Sequence, residues 1–252
     1  MPSRCDVPLP RLYKTIFEAR YQPKLEIFGL MHKAMQTLTG YPDWEVSTAS
    51  TSLRDYDEYC SLTLQHNRFV YDQDSDDQEI EKSRISDALN HLPHEVHISS
   101  FSRLGFRRKY LIPVSMSFEE LVSVLNIKLF SQDNELKKTL PSNIDDIQYA
   151  IDASEGLLKF HITVGPLKRE EIPRYISFTK KHHLRPQSAA LDYDEISKGY
   201  PDISVFIDID IYKESKEIPS GEASDFVNDA RNRVENMTEN LRIYLFNPEI
   251  GV

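Results

Sequence analysis

The sequence predicts an α+β fold made of two antiparallel-sheet halves, each with helices packed on one face. Three observations lead to this class. Several stretches alternate apolar and polar side chains, as half-buried strands do. Other stretches repeat apolar residues at helical spacing. The last of these, from about residue 221 to residue 246, predicts a long C-terminal helix, because no glycine or proline interrupts it before Pro248.

The first half is assigned to residues 1–135 and opens with a strand and a helix. Apolar and polar residues alternate from Tyr13 to Tyr21, which predicts a half-buried strand. Apolar residues then recur at helical spacing from Leu25 to Leu38. Gly40 and Pro42 follow, and together they end the predicted helix. Short strands are expected next, at residues 44–46, 62–64 and 68–70.

Two polar segments follow those strands. Residues 71–84 are rich in Asp and Glu and are interpreted as a surface linker or a frayed helix start. Residues 91–97 contain three histidines and are interpreted as a loop, because Pro93 would break a helix. Residues 96–114 are strand-like, with an interruption expected near Gly105. Ser117 and Glu120 then form a capping box, which predicts a helix up to Leu129.

The second half is assigned to residues 136–252, with the boundary in the polar residues 131–143. Strands are predicted at 158–164, 174–180 and 205–211, and residues 181–201 are expected to form a loop. The long terminal helix closes the chain. One continuous domain is the alternative to this division.

Composition narrows the function classes. The 252-residue chain has a formal net charge of −10, so nucleic acid is an improbable partner for the chain alone. No apolar run is long enough for a membrane span, and no secretory signal is recognised. Two cysteines indicate reduced thiols and a cytoplasmic protein. The sequence contains none of the common glycine-rich phosphate-binding motifs and no nucleophile elbow, so neither a cofactor nor a catalytic residue is predicted.

A basic strand is the main candidate site. The residues predicted to bind a ligand or partner are Arg103, Gly105, Arg107, Lys109 and Tyr110. Strand alternation places Arg103, Gly105, Arg107 and Lys109 on one face and Arg108 and Tyr110 on the other. Guanidinium groups suit carboxylates and phosphates. The alternative is pairing within the sheet, with Glu18, Asp208 and Asp210 as the counter-charges.

Metal binding has weaker support. Asp208 and Asp210 lie two residues apart on a predicted strand, as carboxylates do in some phosphoryl-transfer sites. Two ligands do not make a metal site, and the histidines of residues 91–97 lack the spacing of zinc ligands. The sequence therefore predicts no metal.

Short segments along most of the chain resemble a sporadically distributed family of prokaryotic proteins with a central Arg-x-Gly-x-Arg strand. The matching segments are Ile16–Tyr21, Arg103–Arg107, Ile207–Asp210, and Phe226 followed by Thr238–Leu241. Residues 108–110 depart from the family pattern. The resemblance implies no established activity. It implies mobile or defence-linked gene neighbourhoods, and a partner encoded nearby.

Three functions are therefore open. The first is a non-catalytic accessory or regulatory module that binds another protein. The second is a sensor of a small anion or nucleotide that uses Arg103, Arg107 and Lys109. The third, with the least support, is a metal-dependent enzyme that cleaves phosphodiesters through Asp208 and Asp210.

Overall fold

Nine strands form one antiparallel sheet in the part of the chain that the structure, a computed structural model, describes: residues 8–129, 144–172 and 198–247. The strands are β1 (Arg11–Arg20), β2 (Asp43–Val46), β3 (Ser50–Asp55), β4 (Cys60–Gln65), β5 (Arg68–Gln73), β6 (Ser100–Pro113), β7 (Tyr149–Glu155), β8 (Leu158–Lys168) and β9 (Ile203–Pro219). They lie in the order β2-β3-β4-β5-β1-β6-β9-β8-β7, so the long strands β1, β6 and β9 are central.

The described residues also contain the helices α1 (Ile27–Gln36), α2 (Gln78–Glu95), α3 (Phe118–Leu129) and α4 (Ala223–Phe246). The capping box of α3 forms as predicted: the Ser117 amide donates to Glu120 and the Glu120 amide donates to the Ser117 hydroxyl. The α+β class, the antiparallel sheet and the long C-terminal helix are confirmed.

Side-chain alternation divides the sheet into two unlike faces. The helix face carries the core: Phe17 of β1, Phe106 of β6 and Ile209 of β9 are fully buried beneath the helices. The opposite face, which we call the open face, carries mainly charged and polar side chains in its centre. At one end a second apolar cluster covers it, formed by Tyr13, Leu111, Leu167, Ile172, Tyr200 and Phe206. This alternation decides which residues of β6 can meet a partner.

The two predicted halves share this sheet. Strand β6 from residues 1–135 pairs with β9 from residues 136–252 along almost its whole length. One apolar cluster contains residues of both halves, such as Leu62 and Ile209. The division into two halves stays a prediction, since a shared sheet does not decide where a domain boundary lies.

Helix α2 corrects two predictions. The acidic segment 71–84 is not a surface linker, and the alternative of a helix start is the correct one: β5 continues to Gln73, and α2 begins at Gln78 with the Asp77 side chain as its N-cap. The histidine segment 91–97 is not a loop, because α2 runs to Glu95. Pro93 is accommodated in its last turn, where the Pro93 carbonyl accepts from the Ile98 amide at 2.7 Å.

The strand predictions were largely right. β6 passes through Gly105 without the expected interruption. Strands β3 and β7 were missed, because few of their residues are large and apolar. The predicted strand at 174–180 lies outside the described residues, as does most of the predicted loop at 181–201.

Candidate binding face

The middle of the open face brings together most of the predicted site residues. Glu18 of β1 lies opposite Gly105 of β6, which in turn lies opposite Tyr212 of β9. Between β6 and β9, Arg107 also lies opposite Asp210, and Lys109 lies opposite Asp208. Strand alternation therefore places basic side chains of β6 beside acidic side chains of its two neighbours.

Arg107 is held by Asp208 through two parallel hydrogen bonds. Its Nε donates to Asp208 Oδ1 at 2.7 Å and its Nη2 donates to Oδ2 at 2.5 Å. These bonds raise the pKa of Arg107. The Asp208 side chain is 5% exposed, whereas that of Arg107 is 36% exposed. Arg107 thus presents a fixed guanidinium edge to solvent while its charge is balanced from within.

Arg103 folds back over Gly105. Its guanidinium lies 4.3 Å from the centre of the Tyr212 ring, and its Nη1 donates to Glu214 at 3.2 Å. A β-carbon added at Gly105 would lie 3.6 Å from Arg103 Nε. Gly105 is one of the predicted binding residues, but Arg103 occupies the space directly above it.

The remaining contacts of Arg103 are looser. They reach Glu18 at 3.7 Å and Asp210 at 3.6 Å, and its Nε is buried without a hydrogen-bond partner among the described residues. Burial raises the pKa of Asp210, against the opposing effect of Arg107 and Arg103. Asp210 is therefore the least well-compensated carboxylate of this group.

Lys109 lies deeper and next to a second lysine. Its Nζ is 3.5 Å from Asp208, and burial lowers its pKa. Lys14, its neighbour on β1, bonds Asp72 at 2.7 Å and Asp74 at 3.1 Å. Both ammonium groups are thus engaged by carboxylates of the sheet.

A cleft of about 210 Å³ opens in the middle of these charges. Its lining contains three guanidinium groups and two carboxylates together with Ile16 and Gly105; the charged residues are Arg20, Arg103, Arg107, Glu18 and Asp210. The cleft therefore offers paired charges of both signs, and its arginines are neutralised by internal carboxylates.

Tyr110 does not belong to this surface. It projects to the helix face, is 6% exposed, and its hydroxyl accepts from Arg108 at 3.4 Å. Strand alternation had already assigned Tyr110 to this other face, although Tyr110 was included among the binding residues.

Arg108 belongs to a second group of charges, which we call the charged core: Thr15, Glu81, Arg108, Arg231 and Glu235. Arg108 is fully buried, and Glu81 is 1% exposed. Glu81 accepts from Thr15 at 2.9 Å, from Arg108 at 2.6 and 3.1 Å, and from Arg231 at 3.0 Å. Glu235 accepts from Arg108 at 2.7 Å.

The charged core ties α2 and α4 to the centre of the sheet, because its members come from β1, β6 and both helices. Burial alone would lower the pKa of Arg108, but the opposing effects of Glu81 and Tyr110 together outweigh it and the pKa is raised. Little in the sequence indicates this arrangement, since Glu81 and Arg231 look like surface residues of polar segments. Apart from Glu235, whose side chain is 43% exposed, the members of the charged core are buried, which fits a structural role.

The described residues offer no group of three or more His, Cys, Asp or Glu side chains placed to hold a metal. Both carboxylate oxygens of Asp208 accept hydrogen bonds from Arg107, and Asp210 lines the cleft. Cys60 is buried, and burial raises the pKa of its thiol to about 12, so it is a poor nucleophile at neutral pH.

Comparison of the chain with models of known protein families finds no match, and comparison with curated proteins finds none. Membership of the prokaryotic family with the Arg-x-Gly-x-Arg strand stays a prediction. Among the described residues, no helix is both long and apolar enough to cross a membrane.

Proposed function

We propose that this protein is a non-catalytic accessory module that binds another protein through its open face. The observation that carries the proposal is the contrast between the two faces of the sheet. The described helices pack on one face, and the centre of the other holds ordered charged side chains that remain partly accessible.

The chemistry of this surface suits protein recognition. Arg and Tyr are enriched at the energetic centres of interfaces. Arg103 and Arg107 are held by their carboxylate partners, so a partner protein would bind them with little loss of side-chain entropy. Charges of both signs favour a partner with a complementary pattern over a simple polyanion. The resemblance described above adds the expectation that the partner is encoded nearby.

Affinity capture with two matched double variants tests the proposal. Arg20→Gln with Lys159→Gln removes two positive charges from the open face, where the side chains are 44% and 49% exposed. Arg233→Gln with Lys82→Gln removes two positive charges from the helices instead, where the side chains are 34% and 45% exposed. All four side chains are at least a third exposed, so both variants are expected to fold.

The open-face variant should lose a protein that the wild type and the helix variant retain from the natural source. Circular dichroism and thermal melting establish that each variant is folded. Equal retention by both variants would contradict the proposal, because the captured protein would then contact another surface.

Binding of a small anion or nucleotide is a second candidate, favoured by one observation: the buried Nε of Arg103 lacks a hydrogen-bond partner among the described residues. An anion in the cleft would have to compete with Glu18 and Asp210. Thermal melting with inorganic phosphate or ATP is the test. A raised midpoint that is lost in Arg103→Lys supports this function, and an unchanged midpoint contradicts it.

A further inference from the structure

The outer edge of β2 carries exposed apolar side chains. Trp44 is 56% exposed and Val46 is 53% exposed, and both lie on the helix side of the strand. Helix α1 lies on the same side of the sheet, where His32 bonds Thr51, the cross-strand neighbour of Val46. An exposed apolar edge strand is a ready template for pairing with another chain.

Backbone groups of β2 also point outwards. The Ser47 amide donates to the Ser50 carbonyl in the turn between β2 and β3. Hydrogen-bonded pairs alternate along an antiparallel ladder, so Glu45 and Asp43 bond β3 and the N–H and C=O groups of Trp44 and Val46 face the free edge. Among the described residues no strand pairs with them.

The opposite edge of the sheet differs. Strand β7 exposes mainly small and acidic side chains, among them Ala150, Asp152 and Glu155. Charged and short residues of this kind protect an edge from pairing. The two edges therefore predict different behaviour, and only the β2 edge combines free backbone groups with large apolar side chains.

We propose that two copies of this chain associate through their β2 edges as a two-fold symmetric, antiparallel pair. The register is centred on Glu45, so that Trp44 of one copy lies opposite Val46 of the other. All four outward backbone groups of each strand then find partners. Each Trp–Val pair also joins an aromatic and a β-branched side chain on one face, a favourable cross-strand combination.

A second copy fits this edge because the strand is self-complementary. In the register centred on Trp44, Asp43 of each copy would lie opposite Glu45 of the other, which gives two like-charge pairs. Centring on Glu45 leaves a single like-charge pair, and each Glu45 already binds Arg54 of its own chain. The contact is small and each chain carries a formal charge of −10, so the dimer is weak and strengthens when salt screens the repulsion.

The single tryptophan of the chain reports directly on this contact. Sedimentation and tryptophan emission are measured from about 1 µM to about 1 mM protein, a range that covers weak association. The proposal expects a reversible monomer–dimer equilibrium, a blue shift of the Trp44 emission as the dimer forms, and stronger association in added NaCl. A monomer with unchanged emission over the whole range would overturn it.

Two matched variants locate the contact. Val46→Lys should abolish association, whereas Leu157→Lys, a 64% exposed position in the β7–β8 turn, should leave it unchanged. Glu45→Gln should tighten the dimer, because it removes the like-charge pair. Association that survives Val46→Lys, or that weakens in Glu45→Gln, contradicts the β2 edge or the register.

Discussion

At the scale of single residues, the same basic strand supplies two kinds of arginine. Arg107 faces the open side, where solvent reaches it. Arg108 points the other way and is fully buried against Glu81. A buried ion pair contributes less to stability than its geometry suggests, because both charges lose their hydration. Removing one partner is costly, since the other charge stays buried.

Replacing Glu81 with Gln should destabilise the protein by about 3–5 kcal/mol, because the buried guanidinium groups of Arg108 and Arg231 would lose their shared carboxylate. Urea unfolding measures this loss. The control is Glu79→Gln on the same helix, where the carboxylate is 86% exposed and pairs with Lys82; its cost should stay below about 0.5 kcal/mol. Similar costs for both variants would contradict the role given to Glu81.

The two aspartates of β9 should also differ. Asp208→Asn removes the acceptor of both Arg107 hydrogen bonds and should cost about 1.5–3 kcal/mol. Asp210→Asn should cost much less, because burial raises the pKa of Asp210 and its nearest guanidinium lies 3.6 Å away. Urea unfolding at pH 7 compares them, and a larger cost for Asp210→Asn would argue against the pairing described above.

At the scale of elements, two glycines in and after helix α1 have opposite surroundings. Gly29 lies within the helix, and an added β-carbon would have nothing within 4 Å. Gly40 follows the helix with φ of +87°, and an added β-carbon would collide with the Arg84 guanidinium. That guanidinium in turn bonds the Gly40 carbonyl. Helix α1 itself ends at Gln36 with Thr37 as its C-cap, so Gly40 fixes the turn that follows the helix, through backbone geometry that other residues rarely adopt.

Gly29→Ala should stabilise the protein by about 0.5–1 kcal/mol, since alanine loses less backbone entropy in a helix. Gly40→Ala should destabilise it by about 1 kcal/mol or more, because the left-handed backbone and the Arg84 contact both oppose a side chain. Thermal melting of the two variants gives the signs. The same sign for both would show that α1 or the turn after it is wrongly placed.

Elements with strong periodicity could be predicted from the sequence, and those carrying buried charge could not. The alternation in β8 and β9 and the apolar stripe of α4 were sufficient to locate them. Helix α2 was hidden because Glu81 occupies a buried position and Pro93 suggested a break. Its stripe of Ile85, Ala88, Leu89 and Leu92 at helical spacing was the available signal.

The candidate site was predictable only in part, for a related physical reason. Alternation along β6 correctly separated Arg107 from Arg108. Glu18, Asp208 and Asp210 could be named as candidate counter-charges, but alternation could not decide between internal pairing and a free basic face. Strand order depends on contacts between residues far apart in sequence, such as Arg107 and Asp208. Whether the basic strand is free or paired is therefore a property of the folded sheet.

At the scale of the whole molecule, several tyrosine hydroxyls and one cysteine thiol are buried in the fold. Burial raises the pKa values of Tyr21, Tyr41, Tyr71 and Cys60. Each of these groups holds its proton more tightly in the folded protein than in the unfolded chain. Its contribution to stability is complete below its ordinary pKa, 9.0 for the thiol and 10.0 for a tyrosine, and is lost as the pH rises above it.

The free energy of unfolding should therefore fall steadily above about pH 9, and the buried tyrosines should ionise only as the fold is lost. Absorbance at the tyrosinate band and near-ultraviolet circular dichroism, followed together from pH 8 to alkaline unfolding, check this. Full tyrosine ionisation with an intact near-ultraviolet spectrum would contradict the burial of these side chains.

The most direct test of the central claim, that the open face binds a partner protein, is site-specific photocrosslinking in cells that naturally produce the chain. A photoreactive phenylalanine analogue replaces Tyr212, which lies beneath Arg103 on the open face, or Tyr244, which is 36% exposed on α4. The account predicts a discrete crosslinked partner from position 212 and none from position 244. Crosslinking from position 244 alone would contradict it.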